Sequence, residues 1–326
     1  MKKLLACLMA LSVLVTACSS GAGETAGSDQ AGSGEELVIG IIQYMDHVSL
    51  DAANRGFQEE LEASGKKVRF IEQNANGDLA TVSQIGAKFQ AEEVDLVYAI
   101  ATPAAQGMQN QLDKTPLVFS AVTDPQGADL VESLESPGGN MTGVSDYIDP
   151  KTQLERFISL YPEAKTIGVI YNTGEQNSRV QVEELRQAAE SLGLGLKEVG
   201  ISQIADVSQA IASLAKDIDG LFALTDNMVA SAGPTVAKAL LDKKIPSVSA
   251  EEGQVKNGLL FSEGVNYEEH GRQAGRMALK ILEGQAPKDL PVEFNEVNHL
   301  LVNEETAKAL GLDLNHPALQ EGTLVK

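Results

Sequence analysis

LVIGII (Leu37–Ile42) followed by SLDAANRGFQEELEA (Ser49–Ala63) sets the pattern from which the rest of the chain is read. A short, continuous apolar run with no polar alternation reads as a strand buried on both faces, and Leu50, Ala53, Phe57 and Leu61 then recur at helical spacing. The unit repeats downstream. VRFIEQ (Val68–Gln73) precedes a helix over Asp78–Ala91, and DLVYAIA (Asp95–Ala101) precedes one over Pro103–Leu112. PLVFSAV (Pro116–Val122) precedes a shorter helix from Gly127, and Asn140–Ser145 supplies a fifth strand. Such alternation predicts an α/β fold with a mostly parallel sheet and helices on both faces.

A second series starts at TIGVIYN (Thr166–Asn172) and continues with a helix over Asn177–Leu192, LGLKEVG (Leu194–Gly200) and a helix over Asp206–Leu214. IDGLFALT (Ile218–Thr225), a helix over Met228–Leu241, strands over Ile245–Val248 and Gly258–Ser262, and a helix over Tyr267–Leu282 follow, with PVEFNEV (Pro291–Val297) as a last strand. Two Rossmann-like lobes emerge, with the boundary between Ser145 and Pro150. The expected division is residues 37–146 plus about 263–296 for the N-terminal lobe, and 147–262 plus about 297–326 for the C-terminal lobe.

Upstream of the first strand, Lys2 and Lys3 precede an apolar run from Leu4 to Val15 and then Thr16-Ala17-Cys18. A basic start and a greasy segment too short to span a bilayer form an export signal, and Val15–Cys18 resembles a bacterial lipobox. Residues 1–17 are therefore expected to be a lipoprotein signal peptide, with Cys18 lipidated and residues 18–36 a flexible, lipid-anchored linker. Cys7 leaves with the signal, so the exported domain has neither a free thiol nor a disulfide. That excludes cysteine catalysis.

Composition excludes more. The formal charge is −21, which repels nucleic acid and anionic lipid surfaces. The four histidines, His47, His270, His299 and His316, lack the spacing of a helical zinc site, so no metal is expected. With 4% aromatic residues and no tryptophan, stacking against sugar faces is disfavoured. There is no G-x-S-x-G, G-K-[ST], H-E-x-x-H or G-x-G-x-x-G, and no carboxylate pair placed across a scissile bond. Glu251-Glu252 reads as a helix start. The expectation is a binding protein without a cofactor, not an enzyme.

In open α/β sheets ligands gather where strands end and helix N-termini present free N–H groups. In the first lobe those ends are Gln43–His47, Gln73–Asn76, Ala101–Gln106, Thr123–Pro125 and Ser145–Tyr147. In the second they are Tyr171–Ser178, Thr225–Asn227 and Ser249–Glu252. Thr102 sits where an N-cap belongs and Pro103 where the first helical residue belongs, so Thr102–Ala105 suits a carboxylate. An ammonium is repelled there and is assigned to Asp124, Asp146 or Asp226, each of which also reads as a turn or capping residue. The predicted ligand is a small zwitterion held between two lobes that close on a hinge.

IATPAAQ (Ile100–Gln106), AVTDP (Ala121–Pro125), PGGNMTGVSD (Pro137–Asp146), IGVIYNTGEQNS (Ile167–Ser178) and TDNMVAS (Thr225–Ser231) together resemble the ABC-transporter substrate-binding lipoproteins of the tryptophan/tyrosine-binding type. The resemblance runs from about Leu37 to about Leu312. It implies a type I periplasmic-binding fold with three crossovers between lobes, and a monomer that delivers an amino acid, often aromatic, to a membrane permease driven by a cytoplasmic ATPase. It places Gln43, Thr102, Ala104, Ala105, Asp124, Asp146, Asn172, Glu175, Asn177, Asp226 and Asn227 in the pocket. Tyr44, Met45, Phe119 or Tyr147 would wall an aromatic side chain. Tyr44 and Asp46 depart from the family's pattern and bear on which ligand fits. An extracellular sensor that passes a similar solute to a signalling receptor is the alternative.

Overall fold

The structure, a computed structural model, describes residues 36–296 and 298–326. The signal peptide, Cys18 and nearly all of the linker lie outside the described residues. In the first half β1 (Leu37–Gln43), α1 (Val48–Ala63), β2 (Val68–Asn74), α2 (Leu79–Ala91), β3 (Leu96–Ile100), α3 (Thr102–Gln111), β4 (Leu117–Val122) and β5 (Met141–Ser145) follow one another. The second series runs α4 (Pro150–Leu160), β6 (Thr166–Asn172), α5 (Gln176–Ser191), β7 (Gly195–Ile201), α6 (Val207–Leu214), β8 (Gly220–Ala223), α7 (Asn227–Ser231) and α8 (Gly233–Leu241). It continues through β9 (Ser247–Glu251), α9 (Glu252–Lys256), β10 (Phe261–Val265), α10 (Tyr267–Leu282), β11 (Glu293–Phe294), β12 (Asn298–Asn303), α11 (Glu304–Leu310) and β13 (Thr323–Val325).

Two sheets result, ordered β11-β5-β4-β3-β1-β2 and β13-β12-β10-β9-β8-β6-β7. Among the described residues every ladder is parallel except β10 with β12. The chain passes between sheets after β5, after β10 and after β11. Strands β3, β4 and β5 are buried along their whole length, as central strands of a sheet covered on both faces are, whereas edge strand β2 is half-buried. The first core is built around Ile39, Ile41, Phe57, Phe89, Tyr98 and Phe119, with the Phe57 and Tyr98 rings stacked 3.8 Å apart.

Helix α10 follows the second sheet in sequence but packs on the first. A side-chain carbon on Gly56 would overlap the backbone oxygen of Glu268, and one on Gly271 would overlap that of Ala53. The two helices therefore touch backbone to backbone.

Several sequence expectations are corrected. No helix starts at Gly127: Pro125–Leu130 forms turns, closed by Asp124 Oδ1 accepting from Gly127 N at 2.8 Å and ended by Asp129 at φ +58°. The helix expected over Met228–Leu241 breaks at Ala232, because Pro234 has no N–H to continue it. Strands β9 and β10 start and end later than Ile245–Val248 and Gly258–Ser262. Asn257 and Gly258 (φ +109°) form the turn, and buried Ser247 and Ser249 belong to β9. β10 stays in the second sheet to Val265, past the expected boundary at 263. Of the strand expected over Pro291–Val297, whose described part is 291–296, only Glu293 and Phe294 pair, against β5.

Candidate functional site

The carboxyl ends of β1, β3, β4 and β5 face those of β6, β8 and β9, and the two sets touch. Thr123 Oγ1 lies 3.1 Å from Thr225 Oγ1, and His47 Nε2 lies 3.3 Å from Asn227 Oδ1. Gly253 of α9 abuts Ser49 at the start of α1, the Ser49 nitrogen standing 3.0 Å from where a Gly253 side chain would begin. All six residues are buried. The cleft between the sheets is closed.

Thr102 does not cap its helix. Helix α3 already includes it, Ala101 at φ +86° takes the cap position, and no side chain bonds the first turn. The Thr102 side chain is 1% exposed and its Oγ1 has no hydrogen-bond partner. A hydroxyl stranded in this way costs about 1–3 kcal/mol, which a ligand can recover. Ala104 and Ala105 are buried beside it, but the Ala105 N–H is spent on Ala101 O at 3.0 Å, so it is not free for an anion as expected.

Ala121, at the end of β4, has φ +54°, and its N–H donates to His270 Nε2 at 3.0 Å. The His270 Nδ1–H donates to Asn295 Oδ1 at 2.6 Å, and burial pushes its pKa down to about 4. His270 is thus a hydrogen-bonded histidine, and no local pattern marks its partners, which lie 149 and 25 positions along the chain.

The three aspartates expected to meet an ammonium differ in kind. Asp124 is half-buried and its carboxylate is turned onto the Gly127 N–H of its own turn. Asp226 is the most engaged of the three: Oδ1 caps α7 through Val229 N at 2.8 Å, and Oδ2 accepts from Asn172 N at 2.5 Å and Ser178 Oγ at 2.7 Å. Burial and the nearby Glu175 nevertheless raise its pKa to about 7. It organises the second lobe, tying β6, α5 and α7 together. Asp146 is 2% exposed, accepting from Thr123 Oγ1 at 3.0 Å and from the Tyr267 hydroxyl at 2.7 Å, one bond per oxygen. Burial pushes its pKa up despite these bonds, and each oxygen keeps a lone pair free.

Glu175 is likewise committed, accepting from Asn172 Nδ2 at 2.9 Å, Asn227 N and Met228 N at 3.3 Å, and the Asn227 side-chain amide. Asn177 donates to Thr225 O at 3.0 Å while its Oδ1 is buried without a partner. Gln43 is held by Met45 O and Asp51 Oδ1 at 3.0 and 2.7 Å. The Tyr44 hydroxyl donates to Gly77 O at 3.0 Å; burial, then Glu175 and Asp226 of the opposite lobe, push its pKa up to about 12. Of the other candidate ring walls, Met45 is half-buried, Phe119 belongs to the first core and Tyr147, 36% exposed, stands at the surface.

The sequence profile of the ABC transporter substrate binding protein family matches residues 38–326. This chain belongs to that family. Substrate-binding proteins of ABC transporters work outside the cytoplasm, and two mostly parallel α/β sheets joined by three crossings form the type I periplasmic-binding architecture.

Three further likenesses concern this substrate-binding protein's relatives. A tyrosine-binding protein of Clostridioides difficile (strain R20291) is 42% identical over 305 residues, covering 92% of this chain and 88% of its own. An ABC domain from Streptococcus pneumonia, solved in complex with L-Trp, is 33% identical with a TM-score of 0.85, covering 89% of this chain and 100% of its own. A ligand-free, open substrate-binding protein with adhesive properties from Clostridium difficile shares more residues, 41%, yet superposes less well, with a TM-score of 0.69 over 89% of this chain and 99% of its own. Identity alone predicts the reverse order. The superpositions agree with the inter-lobe contacts: the substrate-binding protein stands here with its lobes closed.

Proposed function

We propose that this chain captures an amino acid with an aromatic side chain, tryptophan, tyrosine or phenylalanine, by closing its lobes around it, and hands it to the permease of an ABC importer powered by its ATPase. Cys18 carries the lipid that anchors the protein to the membrane, residues 18–36 are the leash, and the protein acts as a monomer. The observation that carries this reading is the pairing of unmet groups in a closed cleft. Thr102 Oγ1 is stranded at the start of α3, where the helix dipole favours a carboxylate. Across the site Asp146 has no lysine or arginine partner among the described residues. A zwitterion supplies both missing charges. The tyrosine-binding relative and the tryptophan complex support an aromatic ligand, and Tyr44 offers a buried ring facing the second lobe.

The test is mass spectrometry of small molecules released when the purified protein is unfolded, followed by calorimetric titration with the natural amino acids. Binding of at least one aromatic amino acid is expected. Flat heats across the whole panel overturn the reading.

A further inference from the structure

Glu251 ends β9 and precedes α9, yet its side chain caps nothing. It is 2% exposed, and its Oε1 has no hydrogen-bond partner. Ser49 of the first lobe and Gln254 of α9 stand beside it, close enough to ease the charge on its carboxylate, although Ser49 Oγ and Gln254 Oε1 are themselves buried without a hydrogen bond of ordinary geometry, and Asp146, also from the first lobe, is near enough to act on its charge. The neighbouring Glu252 is answered by Lys256 at 2.9 Å; Glu251 and Asp146 have no such cation among the described residues. A buried carboxylate left without a positive partner is strongly disfavoured, and burial drives the Glu251 pKa up to about 8. Two acids from opposite lobes, each with acceptor capacity to spare, and a stranded hydroxyl thus lie together where the lobes meet.

We propose that Glu251 is the second carboxylate on the ligand's ammonium, which sits between Glu251 of one lobe and Asp146 of the other with Ser49 Oγ alongside. The assignment rests on the amino-acid reading above. Because the two carboxylates belong to different lobes, only the closed form grips the ammonium from both sides. The ligand therefore binds the closed state better than the open one, which is the condition for a ligand to drive closure. A deaminated analogue gains the Thr102 side of the site but not this clamp. Glu251 sets specificity for an amine.

Calorimetry on the purified full-length protein tests this with L-tyrosine, L-tryptophan, L-phenylalanine and hydroxyphenylpropanoate, the deaminated form of tyrosine. Glu251→Gln is expected to weaken the best-binding amino acid on the order of 30-fold or more while leaving the deaminated analogue within about threefold of wild type. The variant replaces a group already driven towards its neutral form, so its melting temperature stays at or above that of wild type. Asp146→Asn is expected to show the same selectivity, and it carries the test if Glu251→Gln does not fold. Should the analogue bind neither protein, the double variant decides: losses smaller than additive are expected of two groups sharing one ammonium, and strictly additive losses overturn the proposal. Unchanged amino-acid affinity in Glu251→Gln overturns it, as does an equal loss of amino acid and analogue. A wild-type protein that binds no amino acid overturns the underlying reading as well, whereas binding that survives Glu251→Gln removes only the role of Glu251.

Discussion

Thr102 and His270 show how single residues set the cleft without resembling a motif. Thr102→Val keeps the shape of the side chain and removes a hydroxyl that has no partner in the fold. The ligand-free protein should melt at the same temperature or higher, while affinity for the amino acid falls by roughly 10- to 150-fold, the worth of a hydrogen bond to a charged group. A variant that binds as tightly as wild type would show that the hydroxyl faces elsewhere. His270 works through protonation. Its pKa is about 4 in the fold against 6.5 for the free side chain, so as pH falls the unfolded chain takes a proton that the folded one refuses. The stability it supplies is complete above pH 6.5 and is lost as pH falls towards 4, at about 1.4 kcal/mol per pH unit at the steepest. His270→Gln should therefore be less stable than wild type at pH 7.5 but lose less on acidification to pH 5. The raised carboxyls of Asp146, Asp226 and Glu251 titrate in the opposite sense and cancel in the comparison. Parallel stability curves for the two proteins would remove His270 from the account.

Among the elements, the α1–α10 contact gives the most direct prediction, because Gly271 leaves no room for a methyl group against the Ala53 carbonyl. Gly271→Ala is expected to cost about 1–3 kcal/mol and to lower the melting temperature by several degrees, since backbone must move rather than the end of a side chain. Gly139→Ala, with nothing within 4 Å of the added carbon, is the control and should change little. Equal melting temperatures for the two would mean that the helices separate freely. The parallel βα alternation was legible in the sequence because buried strands such as LVYAI, and LVFSAV with its single serine, are almost wholly apolar. β9 was ended too early for the converse reason: Ser249 looks like the start of a loop, yet it is buried in the strand with its Oγ donating to Glu251 O, just as Ser247 Oγ accepts from Leu260 N. The candidate site was legible to the same depth. Parallel topology alone brings the strand ends together, but whether a carboxylate caps or stays open depends on distant partners. Asp226 Oδ2 is filled by Asn172 and Ser178, 54 and 48 positions away, while Glu251 Oε1 is left without a partner.

At the scale of the whole molecule, the inter-lobe contacts belong to one of two states, so a substitution aimed at them should move the equilibrium between those states and leave each lobe intact. Gly253 is the sharpest target. It lies on α9 of the second lobe against Ser49 of the first, and any larger side chain would meet the Ser49 backbone and hydroxyl only when the lobes are shut. Gly253→Val should therefore leave the ligand-free melting temperature near that of wild type while raising the free energy of the closed form. Small-angle scattering should show wild type contracting when the amino acid is added and the variant remaining extended. Because the ligand must then work against a less populated binding-competent state, its apparent affinity falls in proportion to that population. Contraction of Gly253→Val to the wild-type radius at saturating ligand, with unchanged affinity, would show that this contact persists through opening and that the lobes pivot about it.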